Sequence, residues 1–142
     1  MTAREKKAAL LRYQDAEREI DELLLERERW QARGLRLTPV LTGMPRGGGD
    51  GRALERAAVH VADIEAEIDR AVASAQEDRA RIRAAIGRIR DPRQRDVLRY
   101  RYLDGLTFEA VAERLHYSIR QVYSLHGFAL EALEIPVGKR LQ

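Results

Sequence analysis

The chain has 142 residues, 44% of them hydrophobic and 35% charged, with no Cys at all. That length suits one small domain, or a domain with an appendage, and the missing Cys excludes disulfide scaffolding and thiolate chemistry, which fits a reducing cytoplasm. The net charge of +3 is uneven: residues 1–78 hold 13 Lys or Arg against 16 Asp or Glu, whereas residues 79–142 hold 13 against 7, so the second part is the one suited to a polyanion.

The first helix is predicted to start at a capping box, Thr2 with Glu5, and to run to Gly34. Its opening, MTAREKKAALLRYQDAE, is too charged for a signal sequence, and no 18 uncharged apolar residues run together anywhere, so no membrane partner is expected. Ala9, Tyr13, Ala16, Ile20, Leu23 and Trp30 form a stripe at steps of four, three, four, three and then seven, with Leu24 widening it.

Residues 34–51 are rich in Gly and Pro and read as a long connector, packed by Leu37, Val40, Leu41 and Met44 if it is ordered. Gly47, Gly48 and Gly49 suggest a phosphate cradle, but neither a following GKS or GKT nor a preceding strand is present, so no nucleotide cofactor is expected. The second long helix begins near Arg52. Leu54, Val61, Ile68, Ala75, Ile82 and Ile89 repeat every seven residues, with Ala57, Ile64, Ala71 and Ala85 beside them and Asp78 intruding. Such a seam needs a partner helix. Folding the first helix back antiparallel covers it to near Asp78; beyond that, either the following helices of the same chain or a second copy must cover it. The first cover is preferred, with a homodimer through the long helices as an addition. Arg79, Arg81, Arg83, Arg88 and Arg90 are then expected to face water or phosphate.

Asp91 and Pro92 break this helix and start the next, Pro92 to Asp104, which turns Val97, Leu98, Tyr102 and Leu103 inward and Arg93, Arg95, Arg99 and Arg101 mostly outward. Gly105 and Thr107 then announce a short helix to Leu115, buried through Val111, Ala112 and Leu115. His116 and Tyr117 make a turn. Ser118 with Gln121 forms an S-x-x-Q capping box and opens a last helix, about 119–133, whose stripe is Val122, Leu125, Ala129 and Leu133. The opposite face carries Arg120, Gln121, Ser124 and Phe128, with Tyr123 at its margin. Two short helices with a tight turn and a polar outer face are expected to make a helix-turn-helix that reads double-stranded DNA, the alternative being a helix-turn-helix that serves only as a packing unit.

Gly105, Leu106, Thr107, Val111, Ala112, Leu115, Ser118, Val122, Ala129, Leu130 and Leu133 resemble the pattern of region 4 of the bacterial sigma-70 factors, and Asp96 to Gly105 resembles the helix before it. The whole chain, with its MPRGGG loop and long helical pair, is similar to phage and prophage late transcriptional regulators of the ArpU and RinA type. The resemblance implies a sigma-like transcriptional regulator, phage or prophage encoded, and a contact with RNA polymerase. Primary sigma factors commonly carry cations where Ile119, Tyr123 and Phe128 stand, so the DNA site is expected to differ and to be met with fewer charges.

The fold expected is all-α: a long antiparallel, coiled-coil-like hairpin over residues 1–78, then a sigma region 4-like helix-turn-helix bundle over residues 79–142. The residues expected to meet DNA are Thr107, Ser118, Arg120, Gln121, Tyr123 and Ser124. His60, His116 and His126 lack metal-ligand spacing, and Ser118 and Ser124 lack His and Asp companions, so no metal, no other cofactor and no enzyme activity are expected. The rival reading is an oligomeric assembly or adaptor protein resembling a phage small terminase subunit.

Overall fold

The computed structural model describes residues 1–37 and 50–136, and every regular element among them is helical. In chain order these are α1 (Ala3–Leu37), α2 (Asp50–Gly87), α3 (Pro92–Leu98) running into a π-helical turn (Arg99–Leu103), α4 (Phe108–Leu115) and α5 (Ile119–Ala132). The protein is therefore all-α, two long helices followed by short ones. The connector residues Val40, Leu41 and Met44, the Gly47 to Gly49 triplet, and Lys139 and Arg140 of the tail lie outside the described residues.

The caps read from the sequence form. Thr2 N donates to Glu5 Oε2 at 3.3 Å and Glu5 N donates to Thr2 Oγ1 at 3.2 Å, which closes the box at the head of α1. Asp91 accepts from Arg93 N at 2.9 Å with Pro92 in the first turn of α3. Gly34, taken from sequence as the end of α1, lies inside it, because one Gly costs a helix only about 1 kcal/mol and three further residues recover it.

Two compact units divide the chain, Met1–Glu17 with Ser74–Gln142, and Arg18–Ala73. In the second, Ile20, Ala57, Ile64 and Ile68 are buried and Trp30 stacks on His60 with ring centroids 4.3 Å apart. Arg33 lies 5.0 Å over the same Trp30 ring. Leu24 does not widen the buried stripe: it is 36% exposed, and Leu25 beside it is 56% exposed. Leu25 lies about 140° round the helix from Ile20, whereas Leu24, only about 40° away, stays at the margin of the buried face.

In the first unit, Ala9, Leu10 and Tyr13 of α1 join Ile82, Ala85, Ile86 and Ile89 of α2, Leu98 and Tyr102, and Ala129, Leu130, Leu133 and Ile135 in one buried cluster. The seam beyond Asp78 is thus covered by the following helices, as preferred from sequence, and also by the start of α1. A smaller cluster, Val97, Val111, Ala112, Val122 and Leu125, joins α3, α4 and α5.

Side-chain donors reach main-chain oxygens throughout this unit. Lys6 Nζ donates to Glu131 O at 3.1 Å, placing a cation on the last turn of α5 where the helix dipole favours it. Gln14 Nε2 donates to Arg101 O at 2.8 Å, and Arg79 donates to Leu103 O and to the Tyr13 hydroxyl, each at 3.0 Å. Arg79 therefore does not face water or phosphate. Its hydrogen bond with Tyr13 raises the guanidinium pKa further, while burial raises that of Tyr13, whose hydroxyl donates to Glu17 at 2.8 Å. Arg95 and Arg101 also turn away from the expected outward direction: Arg95 donates to Ile89 O at 2.6 Å, and Arg101 to Leu106 O at 3.0 Å.

The π turn was not foreseen. Asp104 N donates to Arg99 O, five residues back, at 3.0 Å, and Leu106 N to Tyr100 O at 3.0 Å. The wider turn ends the helix early and hands the chain to Gly105, at φ 73°, a conformation that suits a residue without Cβ. An alanine Cβ there would meet nothing within 4 Å, so any cost is confined to the backbone. Gly105→Ala is expected to cost about 1–2 kcal/mol in urea unfolding, with the helical circular-dichroism signal of the folded state unchanged.

Candidate nucleic-acid interface

The candidate interface is built by α4, the turn after it, and α5. Thr107 caps α4, its hydroxyl accepting from Ala110 N at 3.1 Å. α4 ends at His116, which holds φ 58° and ψ 41° in the left-handed region that usually belongs to Gly. Tyr117 N reaches back to Ala112 O at 2.9 Å and closes the turn. Ser118 then caps α5 by accepting from Gln121 N at 3.1 Å. Only this half of the S-x-x-Q box forms among the described residues, so the Gln121 carboxamide is not spent on the return bond.

The stripe read from sequence holds α5 in place. Val122 and Ala129 are fully buried, Leu125 is 7% exposed, and Leu133 is buried just past the helix end. The helix turns its other side outward: Ser118, Arg120, Gln121, Tyr123, Ser124 and Phe128 are all exposed. Thr107 is exposed as well. All six residues expected to meet DNA are thus on the surface of one unit, five of them on α5 or its cap.

An aromatic layer packs against α5. Phe108, the first residue of α4, has its ring centroid 5.1 Å from Tyr123 and 5.0 Å, edge-on, from His126. Arg101 sits 4.6 Å over the Phe108 ring. An aromatic immediately after a helix cap, where exposed polar residues are usual, is the signal of this layer in the sequence. His126 is buried, at 8%, and shares a 2.7 Å hydrogen bond with the Tyr102 hydroxyl. Burial, with Lys7 and Arg101 adding to it, lowers the His126 pKa to about 4, so the imidazole is neutral at physiological pH. Burial likewise pushes Tyr102 up to about 12.

Many of the unit's guanidinium groups are already engaged within the chain. Arg79, Arg95 and Arg101 hold main-chain oxygens. Arg93 pairs with Asp91 at 3.2 Å and Arg99 with Asp96 at 3.5 Å. Arg114 lies 5.4 Å over the Tyr100 ring. Arg4, Lys7, Arg83, Arg88, Arg90 and Arg120 remain as exposed cations. Among the described residues no group of three or more His, Asp or Glu is placed to hold a metal ion, and no helix is long and apolar enough to cross a membrane.

Residues 91–134 match the family model described as Sigma-70, region 4. The matched span runs from the cap of α3 through the end of α5 and contains the whole helix-turn-helix. The C-terminal third of the chain is thus a sigma region 4-like helix-turn-helix, a DNA-binding class of domain and not an enzyme family. No curated protein and no solved structure matches the chain.

Proposed function

We propose that the chain is a sequence-specific, double-stranded DNA-binding regulator of transcription, cytoplasmic and phage or prophage encoded. The observation that carries this reading is the two-sided character of α5. One side is anchored by Val122, Leu125 and Ala129, and the other leaves Arg120, Gln121 and Ser124 uncovered, all within the span matching region 4.

In the proposed mechanism the first two turns of α5 enter the major groove. Arg120 and Gln121 meet base edges, with Tyr123 and Ser124 adding a base or phosphate contact. Thr107 and Ser118 accept from helix-start amides and keep their hydroxyl protons to donate to phosphate oxygens; the adjoining helix N-termini favour the same anions. With so many Arg side chains committed internally, roughly three to five phosphates are neutralised per chain, a slope of about −3 to −4.5 in log K against log salt. A homodimer through the long helices, packed as a coiled coil, supplies the remaining affinity by tethering two readers, and RNA polymerase is the further partner that a sigma-like regulator engages.

The test is selection from random duplexes at two salt concentrations using the full chain. A motif is expected, and Arg120→Ala should relax it at one position, at a cost of about 1–3 kcal/mol. Equal loss of affinity for every sequence would reduce Arg120 to a phosphate contact. Binding without any motif would overturn the reading.

A further inference from the structure

The first two turns of α5 carry two neighbouring rows. Arg120 and Ser124, four residues apart, make a polar row; Ile119 and Tyr123, also four apart, make an apolar one beside it. Ile119 is 38% exposed and Tyr123 51% exposed. Ile119 belongs to neither buried cluster nor to the side chains packed against them. Tyr123 is propped from below by Phe108, at 5.1 Å, which in turn carries Arg101 at 4.6 Å, so the row stands on a braced support.

An aliphatic side chain at the tip of a reading helix has few complements in the major groove. Base edges there present donors and acceptors, the backbone presents phosphates, and the exception is the C5-methyl group of thymine. We infer that Ile119 of this protein recognises a thymine by its methyl group, with Tyr123 closing the contact from the adjacent turn. The inference rests on the proposed reading of duplex DNA and adds to it a base identity at one position, set by shape and desolvation rather than by hydrogen bonding. Cytosine lacks the methyl and is disfavoured; 5-methylcytosine presents the same group at the same edge.

The experiment takes the selected duplex and replaces each thymine in turn by uracil, which keeps every hydrogen-bonding group and removes only the methyl. One position is expected to bind about fourfold more weakly, equivalent to ~0.8 kcal/mol for one buried methyl-sized group. In the full-length Ile119→Ala chain, with its fold checked by circular dichroism, the thymine and uracil duplexes should bind alike at that position. 5-Methylcytosine opposite guanine there should outperform cytosine with the unaltered chain alone. If a motif is bound but no uracil replacement matters, or if the uracil effect survives in Ile119→Ala, the inference is overturned while DNA reading stands. If no motif is bound, both fall.

Discussion

A fragment beginning at Arg79 is expected not to fold into a working DNA reader, although it holds the complete helix-turn-helix. Removing the start of α1 strips Ala9, Leu10 and Tyr13 from the cluster that contains Ile82, Ile86, Tyr102 and Leu133. Leu10 and Tyr13 each contribute roughly 1.5–3 kcal/mol of burial, and their loss also uncovers the apolar faces they met. A domain of this size has a total stability of about 5–15 kcal/mol, so a deficit of about 3–6 kcal/mol removes a large share of it before the hydrogen bonds from Lys6 and Gln14 are counted. Far-ultraviolet circular dichroism and urea titration of residues 79–142 beside the full chain would measure this. A cooperative transition of undiminished midpoint in the fragment would refute it. In the full chain, Leu10→Ala should cost about 2–5 kcal/mol, a large effect for a residue remote in sequence from the helices it supports.

Acid should destabilise the same unit through one side chain. The folded-state pKa of His126 lies near 4, below the ordinary value of 6.5, because burial disfavours the imidazolium and Lys7 and Arg101 repel it. As pH falls, the unfolded chain therefore takes up the proton first. The stabilising difference is fully present above about 6.5 and is lost progressively down to about 4, a span worth roughly 3 kcal/mol. Urea unfolding at pH 7.5 and pH 4.5 should differ by most of that amount beyond the contribution of the carboxylates. The same comparison in a Tyr102→Phe, His126→Leu chain, which removes both hydrogen-bonding partners together, should lose this component. An unaltered pH dependence in the double variant would show that His126 does not carry it.

The part of the protein most legible in its sequence was the part built from local rules. Thr107 and Ser118 cap the helices they were expected to cap, and Val111, Val122, Leu125 and Ala129 are buried where steps of three and four placed them. These features depend on residues within a turn or two of one another. What the sequence withheld was non-local. Periodicity says that a helix has a face to bury but not what it buries it against, so α1 was paired with α2 only to near Asp78, whereas Leu10 and Tyr13 reach the final helices. The direction of the arginines was hidden for another reason. A guanidinium bound to a carbonyl, as in Arg79, Arg95 and Arg101, leaves no signature in residue type at the acceptor, while a carboxylate partner would have. The π turn escaped because it is a matter of hydrogen-bond register and not of composition.

That preference for carbonyl acceptors has an evolutionary corollary. Glu131, Arg101, Leu103 and Ile89 receive the bonds from Lys6, Gln14, Arg79 and Arg95 through an oxygen that all twenty residue types possess. Drift at the receiving positions leaves these links intact, whereas drift at the giving positions severs them. Homologous chains aligned to this one should accordingly vary at the exposed Glu131 and keep the donor Lys6, an asymmetry that paired charges, which must change in concert, would not produce.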